Sequence, residues 1–141
     1  EEIDLCWRAF NLGHTIKYNA KSVVYHVGGA TLQQGNPRKT ELNFRNSLFM
    51  LTKNLPKTVL YATLFIRMIL DGVAGIKFIF QGNLKHFFAI LKAHYSFYRE
   101  FNIHFKKRGK FQLEKYYNTK SIVYLYFIKK VKTFKNILTF I

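Results

Sequence analysis

Apolar positions near the start of the chain recur at helical spacing. The spacing i, i+3, i+4 and i+7, typical of one buried helix face, is occupied by Ile3, Cys6, Trp7 and Phe10. Gly13 suits the left-handed residue that commonly ends a helix. We therefore predict an opening helix that stops just before this glycine.

Three more stretches share the helical period, and proline and glycine mark their limits. Pro37 and Pro56 are each tolerated in a first helical turn, and Gly82 followed by Asn83 interrupts a helix. A last stretch mixes apolar residues with lysines in the pattern of a basic amphipathic helix. The predicted helices cover residues 37–54, 57–81, 84–103 and 121–141.

Two short segments between the first two helices have the composition of strands. Residues 15–19 alternate polar and apolar side chains, and residues 21–27 are rich in β-branched and aromatic side chains. The second segment leads into Gly28 and Gly29, where the backbone can turn sharply. We therefore expect an α/β arrangement in the N-terminal third of the chain and mainly α-helix thereafter.

Three carboxylates, those of Glu1, Glu2 and Asp4, stand at the first turn of the opening helix. Negative charge is stabilised there by the positive end of the helix dipole. Such a turn can also direct a carboxylate into a cleft, where it acts as a general base. The pattern alone leaves both interpretations open.

Composition and charge point to an anionic partner for the second part of the chain. Hydrophobic residues make up 49% of the 141 residues and aromatic residues 18%, with a net charge of +16. Residues 1–54 carry seven Lys/Arg against four Asp/Glu, whereas residues 55–141 carry sixteen against three. Phospholipid headgroups and nucleic acid both fit this balance. A single cysteine, Cys6, excludes an intrachain disulfide.

The stretch 57–81 is apolar almost all round, yet its longest charge-free run, 58–66, has nine residues. A membrane span needs about 20, so we favour a helix that lies in the membrane interface or packs in a hairpin. Two alternatives are a basic, aromatic nucleic-acid-binding module and a helical hairpin for oligomerisation. A nucleic-acid-binding module of this kind would place its apolar residues beside an open sheet or groove, but here they recur at helical spacing. Nucleic acid is therefore the less favoured partner.

Three strings stand in order along residues 1–54: EEIDLCWR, VVYHVGGATL and RKTELNFRNSLFML. Together they resemble the C-terminal part of the catalytic domain of family-2 glycosyltransferases, particularly bacterial enzymes of envelope polysaccharide synthesis. The resemblance implies an inverting hexosyltransferase-type enzyme with the Rossmann-like A fold that binds nucleotide-diphosphosugars. It covers residues 1–54, which leaves 55–141 as a basic, aromatic-rich helical extension that associates with membrane.

The resemblance implies roles for the acidic turn. Glu2 holds the position of the catalytic base, with Glu1 before it and Asp4 one turn along. Many family members have Asp at the position of Glu2, so the reach of the base differs slightly here. A carboxylate is needed because the acceptor hydroxyl must lose its proton as it attacks the anomeric carbon.

The resemblance also implies a metal-diphosphate site. His26 would bind the metal or the diphosphate, although a hydrogen-bonded structural histidine is the alternative. Arg45 is the best candidate for gripping the diphosphate, because a guanidinium binds phosphate oxygens in bidentate fashion. Arg38 and Lys39 would assist, or would simply form a solvated helix start. A divalent cation, Mg or Mn, is expected to be bound mostly by residues upstream of this chain.

Two motifs of the family are missing, which narrows the expected function. The Asp-x-Asp metal motif is absent, as is Gln-x-x-Arg-Trp of the processive synthases. A chain that opens without methionine on a helix start is expected to be a piece of a longer protein, inactive alone. We expect a non-processive transferase that uses a nucleotide-diphosphosugar donor and a glycan or lipid-linked acceptor. It would lie peripherally on the cytoplasmic face of the bacterial inner membrane, bound to anionic lipid.

Overall fold

Helices dominate the part of the chain that the structure, a computed structural model, describes. The described residues are 2–25, 35–110, 112–114, 122–133 and 136. Five helices occur among them: α1 (Glu2–Asn11), α2 (Pro37–Asn54), α3 (Lys57–Phe80), α4 (Leu84–Lys106) and α5 (Ile122–Phe127).

The predicted α/β arrangement of the N-terminal third is wrong for these residues, since none of them forms a strand. Segments 15–19 and 22–25 have no regular structure, and Tyr18 and Tyr25 are 92% and 95% exposed. Strand residues must pair their backbone groups with a neighbouring strand, and the described residues supply none. The end of the second predicted strand and the Gly28–Gly29 turn lie outside the described residues.

The predicted ends of the first three helices are confirmed within about a residue. After α1, Gly13 adopts a left-handed φ of 82°, as a helix-ending glycine does. At the start of α2, Asn36 Oδ1 accepts a hydrogen bond of 2.8 Å from the backbone N–H of Arg38. Pro37 supplies the first residue of that helix, where its missing N–H costs nothing.

The C-terminal helices differ more from their predicted bounds. Helix α4 extends three residues past the predicted end, to Lys106. A continuous helix over 121–141 is wrong for the described residues, because α5 ends at Phe127 and Lys130 has a left-handed φ of 57°. The β-branched Ile128, Val131 and Thr133 follow α5 and have lower helix propensity, and the like charges of three nearby lysines repel one another. The remaining predicted residues of this helix, 121, 134–135 and 137–141, lie outside the described part.

Helix α2 forms the core with α3 and α4. Phe49 of α2 packs on Phe97 of α4, with ring centroids 5.8 Å apart, and stacks on the His104 imidazole at 3.6 Å. Trp7 brings α1 against the same cluster, but the predicted buried face of α1 is wrong for Ile3 and Phe10, which are 67% and 44% exposed. Burial of these apolar side chains is the main stabilising contribution to the packing. The buried members of the core are Leu48, Phe49, Leu55, Leu60, Leu64 and Phe97.

Asp71 is a buried carboxylate that joins α3 to α4. It is 2% exposed and accepts hydrogen bonds from Arg67 Nε at 2.6 Å and from His94 Nε2 at 3.1 Å. Arg67 and Asp71 stand at i and i+4 in the sequence, a spacing that predicts this pair; the structure confirms it, and His94 adds a cross-helix partner. A buried charge without such partners would strongly destabilise the fold.

Arg108 caps the C-terminal end of α2 from beyond α4. Its guanidinium donates to the carbonyl oxygens of Thr52 and Leu55, which lie where a helix leaves carbonyls without intrahelical donors. Burial lowers the pKa of Arg108 from its ordinary value. Arg108 therefore binds the C-terminal end of α2, which is also the end that contacts α1 through Asn54 and Asp4.

Gly72 and Gly75 of α3 provide a matched test of this packing. A Cβ at Gly72 meets nothing within 4 Å, whereas a Cβ at Gly75 would lie 3.2 Å from Phe87 Cδ2 of α4. Gly72→Ala should raise the free energy of unfolding by about 0.5–1 kcal/mol through helix propensity. Gly75→Ala should gain less, and Gly75→Leu should destabilise, as urea titrations of the three variants would measure. Equal gains for both alanine variants would contradict the close α3–α4 contact.

Candidate functional site

The first turn of α1 rests on the C-terminal end of α2 through one carboxylate. Asp4 Oδ2 accepts from Lys53 Nζ at 2.6 Å, and Asp4 Oδ1 accepts from Asn54 Nδ2 at 2.7 Å. Arg8 lies one turn along α1, with its Nε 3.4 Å from Asp4 Oδ2. We call Asp4, Lys53 and Asn54 the Asp4 clamp. Both carboxylate oxygens of Asp4 are therefore engaged.

The other end of α1 is held as well. Asn11 Nδ2 donates to the Asn54 carbonyl at 3.4 Å, and the Leu113 backbone N–H donates to Asn11 Oδ1 at 3.1 Å. Between these ends, Trp7 packs on the core. Since a helix of ten residues is held at both ends and in its middle, its first turn has a defined position on the α2–α4 body.

The contacts of Asp4 make it a poor proton acceptor near neutral pH. Burial alone would raise the pKa of Asp4, but the hydrogen bonds from Lys53 and Asn54 outweigh it. The positive charges of Lys53 and Arg8 act in the same direction, so the pKa lies below its ordinary value. A base that is so strongly stabilised in its charged form gains little by taking a proton. The geometry therefore favours a positioning role for Asp4.

Glu2 opens α1 with an exposed side chain, two residues before the clamp. Its place on the first turn puts the carboxylate at the positive end of the helix dipole. Glu1 lies outside the described residues. Of the two candidate bases in the described part, Glu2 and Asp4, Glu2 is the exposed one.

Arg38 and Lys39 lie at the opposite end of α2 from the Asp4 clamp. Arg38 Nη1 binds the buried Glu41 Oε1 at 2.5 Å, and Glu41 Oε2 is also 3.5 Å from Lys92 Nζ of α4. The fifteen residues from Arg38 to Lys53 span about 22 Å along the helix axis. The structure therefore does not bring Arg38 and Lys39 to the acidic turn.

Arg45 lies closer to the clamp, about 12 Å from Lys53 along α2. Its guanidinium hydrogen-bonds Asn46 Oδ1 at 3.1 and 3.2 Å and lies 5.8 Å from the centroid of the Phe49 ring. Burial lowers the pKa of His104, and the positive charges of Lys107, Lys53 and Arg45 lower it further. The carboxylate of Glu100, with its Oε2 3.9 Å from His104 Nε2, acts in the opposite direction. We call the three cations that act on His104 (Lys107, Lys53 and Arg45) the α2–α4 basic patch.

The described residues do not make a metal site. No group of three or more His, Cys, Asp or Glu side chains converges within the described part of the chain. His26, the metal ligand implied by the resemblance, lies outside that part. Because a single histidine does not hold Mg or Mn without oxygen ligands, we assign no metal-dependent step to the described residues.

Sequence reasoning missed the partners that hold the site together. The sequence places Lys53 and Asn54 at the end of a helix, just before Leu55 and Pro56, but nothing else in the local sequence indicates a contact with Asp4. Their contacts with Asp4 cross 49 and 50 residues of chain. Arg108 contacts Thr52 across 56 residues. Contacts at such separations leave no periodic trace in one sequence.

Comparison with known proteins adds no relative. No protein-family model, no curated protein and no solved structure matches this chain. The functional conclusion therefore depends on the residues of the acidic turn, their positions and the resemblance that they carry.

The Asp4 clamp predicts a pH-dependent contribution to stability. Asp4→Asn should lower the free energy of unfolding at neutral pH by about 1–3 kcal/mol, because Lys53 and Asn54 lose their charged acceptor. Since the folded-state pKa of Asp4 is lowered, this contribution is full above the ordinary pKa of about 4. It is lost as the pH falls through the folded-state value. The difference between wild type and variant should therefore shrink at acid pH.

Urea titrations at pH 7 and at about pH 3, on either side of the ordinary Asp pKa, would measure this difference. Glu114→Gln is the matched control, because it removes an exposed carboxylate of the kind that contributes little to stability. A difference for Asp4→Asn that is independent of pH would contradict the clamp.

Proposed function

We propose that this chain is the C-terminal part of a non-processive inverting glycosyltransferase. The enzyme would move one sugar from a nucleotide-diphosphosugar to a lipid-linked or envelope-polysaccharide acceptor. It would work at the cytoplasmic face of the bacterial inner membrane. The basis is the resemblance of the strings EEIDLCWR, VVYHVGGATL and RKTELNFRNSLFML, together with the position of the first of them.

One observation carries the proposal: the Glu2 side chain is exposed on the first turn of a helix that the Asp4 clamp holds on α2. Asp4 binds Lys53 and Asn54, which fixes α1 on α2, and the side chain of Glu2 on the same turn is accessible to solvent. A general base needs both a reachable carboxylate and a rigid support. In this proposal Glu2 supplies the reachable carboxylate, and Asp4 supplies the rigid support.

In the proposed reaction the acceptor hydroxyl oxygen attacks the anomeric carbon of the donor. A new carbon–oxygen bond forms on one face of the sugar while the bond to the diphosphate oxygen breaks on the other, so the configuration inverts. The hydroxyl proton passes to the Glu2 carboxylate, and the electron pair of the broken bond leaves with the nucleoside diphosphate. Charge thus accumulates on the leaving diphosphate.

Arg45 is the residue that we assign to this leaving group. It belongs to the α2–α4 basic patch with Lys107 and Lys53, whose charges act on the same His104, although Lys53 is also paired with Asp4. Arg38 is paired with the buried Glu41 and lies at the opposite end of α2 from the acidic turn, about 22 Å from Lys53 along the helix axis. A patch of several cations stabilises a diphosphate better than one exposed side chain does.

Substitution of Glu2 tests the proposal most sharply. In the enzyme that carries this chain, Glu2→Gln should lower turnover by about two to four orders of magnitude, the usual contribution of general acid–base catalysis. Donor binding should change little, because the amide keeps the size of the carboxylate. Glu2→Asp, which restores the residue common in the family, should recover part of the rate. The readout is product formation from a radiolabelled nucleotide sugar.

The matched control is Glu114→Gln, which removes another exposed carboxylate and should leave turnover unchanged. Near wild-type turnover of Glu2→Gln would overturn the assignment of the base.

A second test concerns nucleoside-diphosphate binding. Arg45→Ala should weaken the affinity for nucleoside diphosphate in the presence of Mg or Mn, since a cation facing the diphosphate is lost. His26→Ala should weaken it as well if this histidine serves the metal or diphosphate. Calorimetry would measure both, with Arg99→Ala as the control for loss of an exposed arginine on α4. Unchanged affinity with a lowered melting temperature would assign both residues to structure instead.

A further inference from the structure

Helix α3 packs on its neighbours along one side only. Its buried positions, which include Leu60, Leu64, Asp71 and Gly75, fall on the side toward α2 and α4. The opposite side is apolar and exposed, with Phe65 66% and Ile69 53% accessible. We call this side the outer face of α3; its large members are Phe65, Ile66, Ile69, Val73, Ile76 and Phe80.

Helix α4 continues this surface. It runs antiparallel to α3, as the contacts of Asp71 with His94 and of Met68 with Tyr98 require. Its exposed apolar residues recur at helical spacing on the side away from the core. They are Leu84, Phe88, Leu91 and Tyr95. The exposed apolar residues of α3 and α4 together form one extended apolar surface. Extended apolar surfaces mark interaction sites, whereas apolar residues that are exposed singly do not.

Basic residues border this surface, including Lys92 and Arg99, each 64% exposed along α4. Exposed lysines stand at both ends: Lys57 with Lys106 at one, and Lys77 with Lys85 at the other. Lys57 lies 5.9 Å from the Phe105 ring, which places it beside the end of α4. An apolar centre between basic ends matches a bilayer, whose acyl region is apolar and whose headgroups are anionic.

We propose that the outer faces of α3 and α4 form a docking surface for an anionic lipid bilayer, with α3 lying in the plane of the interface. The choice of a membrane rests on the proposed function, while the choice of surface rests on exposure and charge. A second copy of this chain, at a net charge of +16, would be repelled electrostatically. Nucleic acid would require cations within the contact face to neutralise its phosphates.

The packing also decides the orientation of α3. Among the described residues it is the one helix long and apolar enough to cross a membrane by length and composition. Crossing would carry its attached neighbours α2 and α4 into the bilayer, together with the charged Glu41, Lys92 and Arg99. Charged groups in the hydrocarbon region are costly, so an in-plane helix keeps them in water.

Co-sedimentation of the full chain with vesicles tests this surface. Vesicles of phosphatidylcholine alone are compared with vesicles that also contain phosphatidylglycerol, each over a salt series. Wild type should bind the anionic vesicles, and salt should weaken binding without abolishing it, since screening leaves apolar insertion intact. Ile69→Glu should lower the partition coefficient by about tenfold or more. Ile3→Glu, the same change on the exposed face of α1, should have little effect.

A charge pair of variants tests the basic ends. Lys77→Glu with Lys85→Glu should lower binding to anionic vesicles by at least about fivefold. Lys17→Glu with Lys21→Glu, the same changes in the exposed segment 14–25, should lower it much less. Unchanged circular dichroism and melting temperature would show that Ile69→Glu remains folded.

Three results would overturn the inference. They are no binding of wild type to anionic vesicles at low salt, equal losses for Ile69→Glu and Ile3→Glu, and a lipid-free dimer that Ile69→Glu dissociates. Tight, steeply salt-sensitive binding to single-stranded DNA without vesicle binding would assign the basic surface to nucleic acid. Vesicle binding needs neither donor nor acceptor sugar, so its outcome is independent of the transfer assay on Glu2→Gln.

Discussion

The packing of α2 against α4 is the interaction on which the rest of the described structure depends. Phe49 contacts both Phe97 and His104 there, and Leu48 is completely buried beside it. Helices α1, α3 and α4 all contact α2. Because a helix gains most of its stability from such tertiary contacts, α2 sets the positions of the other three.

Two surfaces follow from this arrangement. At the C-terminal end of α2, the Asp4 clamp holds α1 and leaves Glu2 exposed on a fixed first turn. Along the body, α2 and α4 cover one side of α3 and leave its apolar side uncovered. We propose that the first surface serves sugar transfer and the second holds the enzyme at the membrane that carries its acceptor. The proposed acceptor class, a lipid-linked or envelope glycan, gives both surfaces a common purpose.

The helices were predictable because their limits are local. Pro37, Pro56 and the Gly82–Asn83 break act within a turn of their own positions, and α1 to α4 follow them closely. The strands over 15–19 and 21–27 were not predictable in this way, since a strand exists only with a partner. For the site, the sequence indicated the acidic turn, and for the fold, the i, i+4 pairing of Arg67 with Asp71. The partners Lys53, Asn54 and His94 are visible only in three dimensions, and the α/β part of the resemblance is wrong for the described residues.

Hydrogen–deuterium exchange of the full chain, with and without anionic vesicles, tests most directly that the outer faces of α3 and α4 meet the bilayer. Backbone amides of α3 and of the first half of α4 should exchange more slowly when vesicles are present. Amides of α2 and of the exposed segment 14–25 should be unaffected. Protection confined to α1 or α2, or exchange in α3 that vesicles leave unchanged, would contradict the account.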